Sequence, residues 1–293
     1  MPADPTPATD AATDAATDAA TEASTDAATD AAPDVAPGVA PGRFAGAVAI
    51  VTGGSRGIGL AIAQRLVAEG ARVCITARHA DVLDEAAATL PDGRCISVVG
   101  RAEDPEHRAE VLRRVADEFG RVDVLVNVVG MNPVFGDLIG VDLGAARKIF
   151  EVNVITPLAW VQDLVAHPGL QFAERGGCIV NLSSVTGTTP SPGIGLYGVS
   201  KAAVAHLTRT LAVELGPSIR VNAVSPAVVR TVFSRALYEG KEEAVTAGYP
   251  LGRLGEPGDV ASAVAFLASA DAGWITGEVL TIDGGLLAAG GVA

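Results

Sequence analysis

The sequence predicts an α/β architecture: one doubly wound domain with a seven-stranded parallel sheet, preceded by a disordered acidic tail. Three observations carry that expectation. Short apolar runs rich in Val and Ile recur after Arg43, helical stretches fill the intervals between them, and a glycine-rich turn follows the first run. Strands buried on both faces read as continuous apolar runs, and parallel neighbours need a crossover that is usually a helix.

The elements follow in order. Residues 47–52 (AVAIVT) form the first strand and end in glycines, and 60–68 carry apolar residues at helical spacing. Further strands are expected at 72–76 (RVCIT), 95–99 (CISVV), 122–127 (VDVLVN), 178–182 (CIVNL), 220–224 (RVNAV) and 279–282 (VLTI). Helices are expected over 105–119, 142–166 and 197–215. Residues 43–293 thus make one domain, large enough to bury a substantial core.

Residues 1–42 differ in texture. They hold seven Asp, one Glu and no Lys or Arg, so they carry −8 of the chain's −13, largely in a period-four TDAA repeat. With no large apolar side chain such a segment cannot offset its ordering entropy, which predicts a solvated tail. It has neither the basic start and apolar centre of a secretory signal nor the arginines of a transit peptide, and a cytoplasmic location is expected.

The acidic balance offers no basic stripe for phosphate contacts, so no nucleic-acid partner is expected. Cys74, Cys95 and Cys178 share no close spacing, and His79, His107, His167 and His206 are scattered, with surface or cap roles expected, so no metal is expected. No run approaches the length of a membrane span.

Chemistry enters with Thr52-Gly53-Gly54-Ser55-Arg56-Gly57-Ile58-Gly59, between the first strand and the first helix. Gly53, Gly57 and Gly59 let the backbone turn sharply and approach a pyrophosphate on the helix N-terminus, and Ser55, Arg56 and Ile58 belong to the same cofactor turn. At the end of the second strand an NAD enzyme usually places a carboxylate for the adenosine ribose; here Ala77 stands in that place, followed by Arg78. With Arg56, Arg78 offers guanidinium forks to a 2′-phosphate, so NADP(H) is expected ahead of NAD(H).

Tyr197-Gly198-Val199-Ser200-Lys201 puts a phenol and an ammonium four residues apart on one helix face. The chain has only three Tyr and three Lys, so this pairing is informative. A phenol is a poor acid–base group near neutrality unless a cation favours its anion, and Lys201 supplies that charge and a donor for a nicotinamide ribose.

The TGxxxGxG turn together with YxxxK resembles the short-chain dehydrogenase/reductase family, over about residues 43–285. The resemblance implies a Rossmann-type fold and four catalytic positions: Asn153 in a proton relay, Ser184 holding the substrate oxygen, Tyr197 as acid/base and Lys201 tuning it. Asn127-Val128-Val129-Gly130 stands where the family has NNAG, keeping Asn127 and Gly130 as cofactor-side residues. Pro226, Val229 and Thr231 occupy the usual PGxxxT segment, with Ala227 for glycine. Several stretches are similar to NADP-dependent retinol dehydrogenase/carbonyl reductases, and 3-oxoacyl-carrier-protein reductases share the same catalytic set.

The implied substrate is a small-molecule carbonyl or alcohol, an acyl thioester among the options, in an apolar pocket near Met131, Phe135, Ile194 and Leu196. The family's tetramers imply a homotetramer or homodimer. The alternative reading is a non-catalytic NADP-binding scaffold or sensor.

Overall fold

A computed structural model describes residues 42–291, so all but the last residue of the expected tail lies outside the described part. Seven strands form one sheet: β1 Val48–Thr52, β2 Arg72–Ala77, β3 Cys95–Val99, β4 Val124–Asn127, β5 Cys178–Leu182, β6 Arg220–Pro226 and β7 Val279–Ile282. Their order is β3-β2-β1-β4-β5-β6-β7 and every pairing is parallel. The chain winds outward from β1 to β3, then returns to lay β4 on the other side of β1. That reversal opens a crevice at the carboxyl ends of β1 and β4, where open α/β sheets bind ligands.

The strands are apolar throughout because both faces are covered. All five residues of β1 are buried. Ala49 and Val51 join Ile62, Leu66, Val260 and Val264 in one layer, while Val48 and Ile50 join Leu125, Trp160 and Leu211 in the other. Each such aliphatic side chain contributes roughly 2 kcal/mol by leaving water.

The helices are α1 Gly57–Ala68, α2 Ala80–Ala88, α3 Pro105–Phe119, α4 Leu143–Phe150, α5 Thr156–Ala166, α6 Gly195–Leu215, α7 Arg235–Tyr238, α8 Glu242–Thr246 and α9 Pro257–Ala268. Sequence punctuation explains several boundaries. Asp104 caps α3 by accepting from the Glu106 amide at 2.9 Å, and Gly120 closes the helix in the left-handed region at φ 70°. Glu256 and Asp259 form a reciprocal capping box on α9.

Several expected boundaries shift, and the helix expected from 197 starts at Gly195 while β2 and β6 run on to Ala77 and Pro226. The helix expected over 142–166 is split by a π turn, Glu151–Ile155, between α4 and α5. The helix expected from residue 60 starts at Gly57, so the glycine loop forms its first turn. The fourth strand begins at Val124 rather than 122, because Asp123 closes the lead-in with its carboxylate, which accepts from the Val48 amide at 2.8 Å. The stretch Leu143–Ala166 is long and apolar enough to cross a bilayer, but it buries Trp160, Val161 and Leu164 in the core.

The amino edge of the sheet is clamped by charge. Glu69, with no exposed side-chain surface, accepts from Arg43 Nε at 2.5 Å and Arg43 Nη2 at 2.8 Å and pairs with Arg65 on the preceding turn. Hydrogen bonding to Glu69 raises the Arg43 pKa.

Candidate active site

The crevice begins at the glycine loop. Gly53 and Gly57 have φ of 68° and 52°, in the left-handed region. A Cβ on Gly59 would lie 2.1 Å from the Gly53 carbonyl oxygen, and one on Gly54 would lie 2.7 Å from the Ile75 side chain. The turn therefore admits only bare backbone. Arg56, the N-cap of α1, is extended and makes no side-chain cap bond, so the N-terminal amides of α1 are left for an external acceptor. This cradle fits a dinucleotide pyrophosphate. Arg56 is also close enough to Arg78 for charge repulsion, after burial, to lower its pKa. Ala77 closes β2 beside them.

Polar side chains stitch the central strands together. Thr52 Oγ1 accepts from the amides of Val128 at 3.0 Å and Val129 at 3.4 Å, so Thr52 secures the backbone of the Asn-Val-Val-Gly segment. Asn127, expected on the cofactor side, is buried, and its Nδ2 donates to Asn181 Oδ1 at 3.0 Å. Its amide thus ties β4 to β5 through one hydrogen, while its buried Oδ1 has no partner among the described residues. Gly130 lies against the Lys201 ammonium, since a Cβ there would sit 3.2 Å from Nζ.

Three of the four expected catalytic side chains converge where β5 ends and α6 begins. Ser184, extended at φ −165°, follows β5 and lies close enough to the Tyr197 phenol for its hydroxyl to oppose the rise in the phenol's pKa. Tyr197 and Lys201 lie one helical turn apart, with Lys201 Nζ 5.5 Å from the phenol ring centroid. Lys201 is almost wholly buried, and its ammonium donates to the Leu182 carbonyl at 2.8 Å. Burial pushes the Tyr197 pKa up, opposed by the Ser184 hydroxyl, and pulls Lys201 down to about 8. Ser183, the neighbour of the expected serine, turns away and donates to the Lys201 carbonyl at 2.9 Å.

Asn153 lies in the π turn, buried beside this group. Its Oδ1 accepts from the Met131 amide at 2.8 Å, and its Nδ2 donates to the Met131 carbonyl at 3.0 Å and to Ser200 Oγ at 2.9 Å. Two glycines let the catalytic helix approach the Ser184 loop: a Cβ on Gly198 would be 2.6 Å from the Thr186 carbonyl oxygen, and one on Gly187 would be 2.8 Å from the Ala202 amide. Sequence reading missed both, and also Ser200; the small residues flanking Ser184 and Tyr197 were the available signal.

Beyond β6, whose last residue is Pro226, Val229 is buried and bridges to Gly255. The Thr231 methyl faces Gly57 and its hydroxyl lies 2.9 Å from Ser234 Oγ. Pro226, Val229 and Thr231 thus bring this loop to the glycine turn. The expected apolar pocket is instead an open rim. Met131, Ile194 and Leu196 are half-buried, Phe135 is 79% exposed and lies over Gly193, and Phe233 is 62% exposed with its ring 6.2 Å from that of Tyr197. His107 departs from its expected surface or cap role. It is buried edge-on against Trp160 and packed on Gly100, and burial lowers its pKa.

The comparisons with known proteins agree with this fold. A family model described as enoyl-(acyl carrier protein) reductase matches residues 53–287. Dehydrogenase/reductase SDR family member 4 of Homo sapiens is 40% identical over 250 residues, covering 82% of this chain and 87% of that protein. The protein of the same name from Caenorhabditis elegans is 39% identical over 255 residues, covering 84% of this chain and 97% of its own. Among solved structures, a short-chain dehydrogenase/reductase of the glucose/ribitol dehydrogenase type from Brucella melitensis superposes with a TM-score of 0.79 at 28% identity, over 84% of this chain and 99% of that one.

Proposed function

This chain belongs to the short-chain dehydrogenase/reductase family, and from that premise we propose that it is an NADP(H)-dependent oxidoreductase interconverting a hydrophobic ketone or aldehyde, or a 3-oxoacyl thioester, with its alcohol. The observation that carries the reading is the grouping of Ser184, Tyr197 and Lys201, joined to the glycine turn through the loop after β4, whose Val129 meets Gly53 and whose Gly130 meets Lys201.

When bound, the nicotinamide cofactor supplies or accepts the hydride. The chain does the rest. Ser184 holds the carbonyl oxygen as charge develops on it, and Tyr197 gives that oxygen its proton. Lys201, a cation beside the phenol ring, favours the tyrosinate left behind. Asn153 fixes Met131 and, through it, the loop that follows β4. In the reverse direction the same groups accept the alcohol proton.

The preference for NADP(H) rests on Arg56 and Arg78 gathered where β2 ends in Ala77 instead of a carboxylate. A hydrophobic substrate is supported by the exposed rings of Phe135 and Phe233 at the rim. Exposed Ile155, Val213 and Trp274 support a homotetramer or homodimer, and three free cysteines fit the reducing cytoplasm.

The reading is tested by following NADPH consumption with 3-oxoacyl thioesters, diketones and retinal, alongside thermal protection by NADPH and NADH. Carbonyl-dependent consumption and stronger protection by NADPH are expected. Cofactor binding without turnover of any carbonyl would return the scaffold reading, and stronger protection by NADH would remove the arginine argument.

A further inference from the structure

Ser200 stands one residue before Lys201 with no exposed surface. Its hydroxyl accepts from Asn153 Nδ2 at 2.9 Å and donates to the Tyr197 carbonyl at 2.7 Å. These two bonds make it a joint between elements far apart in sequence. On one side lies the π turn, whose Asn153 is locked to the Met131 backbone by two further bonds. On the other lies the turn of α6 that carries Tyr197 and Lys201.

The Asn153 amide makes three bonds: its oxygen accepts one N–H, and its two hydrogens go to Met131 O and Ser200 Oγ. That pattern fixes the amide in one of its two flipped orientations. Removing the Ser200 hydroxyl strands one of these hydrogens in a buried site and unties the π turn from α6, leaving the Tyr197 carbonyl with its helical bond alone. The bare backbone of Gly198 and Gly187 packs the helix against the Ser184 loop, and the Ser200 hydroxyl adds the tie from that helix turn to Asn153.

We infer that Ser200 is a positioning residue that sets Tyr197 against Ser184, acting through the Tyr197 carbonyl and the Asn153 amide without touching substrate or cofactor. The inference rests on the proposed carbonyl chemistry. Its physical content is that the phenol stays within reach of the Ser184 hydroxyl only while the α6 turn is held at this joint.

The test is the pH dependence of kcat in wild type and Ser200→Ala, with a carbonyl that the wild type reduces. The variant is expected to lose roughly tenfold in kcat, as misplacement of a reacting group does, with KM within about twofold. The limb of the profile governed by Tyr197 is expected to move about half a pH unit or more to higher pH. A merely structural serine would lower the melting temperature and leave that limb in place, which would overturn the inference. Should Ser200→Ala fail to fold, Ser200→Cys keeps the side-chain volume with a poor hydrogen-bonding group and is judged by the same limb. A wild-type protein that reduces no carbonyl refutes the proposed function; one that does, with an unmoved limb in the variant, refutes this inference alone.

Discussion

At the amino edge of the sheet, Glu69 is sealed between Arg43 and Arg65, and hydrogen bonding to it strengthens the hold of Arg43 on its proton. At the carboxyl edge two crevice cations are treated in the opposite way: burial and Arg78 weaken the hold of Arg56, and burial alone weakens that of Lys201. One edge matches its buried charges internally and gains stability. The other keeps positive charge next to bare backbone, glycine turns and a buried phenol, an arrangement that costs stability unless an anionic ligand arrives. Perturbed cations of this kind, set in a crevice, mark the working edge of the molecule.

That contrast can be broken most sharply at Tyr197. Tyr197→Phe removes the proton donor while keeping the ring, and turnover is expected to fall at least about 100-fold with cofactor affinity retained. Steady-state rates and NADPH titration check both halves, and an active variant would detach the chemistry from this edge.

Glu69→Gln probes the other edge. Leaving two guanidiniums without their buried carboxylate is expected to destabilise by about 3 kcal/mol, seen as a fall of about 6–12 °C in Tm. Turnover below the transition should be unchanged. A stable variant would mean that the clamp is dispensable.

Arg56→Ala combined with Arg78→Ala separates the cofactors. NADPH affinity is expected to fall about tenfold or more while NADH affinity stays within about twofold, since only the 2′-phosphate is addressed. Equal losses for both cofactors would assign the arginines to the fold.

The smallest effect is the pH dependence of stability. Lys201 holds its proton to about pH 8 in the native state and to about 10.5 when unfolded. Between those values the unfolded chain binds more protons, so stability rises with pH through that window. Lys201→Met removes the titration and is expected to be more stable than wild type near neutrality. The gap should narrow by about 1 kcal/mol per pH unit between about pH 8 and 10 in denaturant unfolding. A gap that ignores pH would contradict the depressed pKa.

The sequence foretold the sheet well because its strands are continuous apolar runs, and two-sided burial leaves no other reading of β1, β4 or β5. The Tyr197–Lys201 pair was equally legible, being local to one helical turn. What could not be read depends on partners distant in the chain. The π turn around Asn153 has no composition of its own. The pairing of Asn127 is set by Asn181 across the sheet, and the burial of His107 depends on Trp160 and the bare backbone of Gly100. Ser200 looked like an ordinary small residue until the structure placed Asn153 against it.

The account stands on carbonyl reduction at the carboxyl edge, and isotope transfer tests it most directly. NADPH carrying deuterium on the transferable position of the nicotinamide is incubated with the chain and an α,β-unsaturated ketone, and the product is read by NMR. Deuterium on the carbinol carbon is the predicted result, with the carbon–carbon double bond intact. Deuterium on the β-carbon of a saturated ketone, or none in any product, would contradict it.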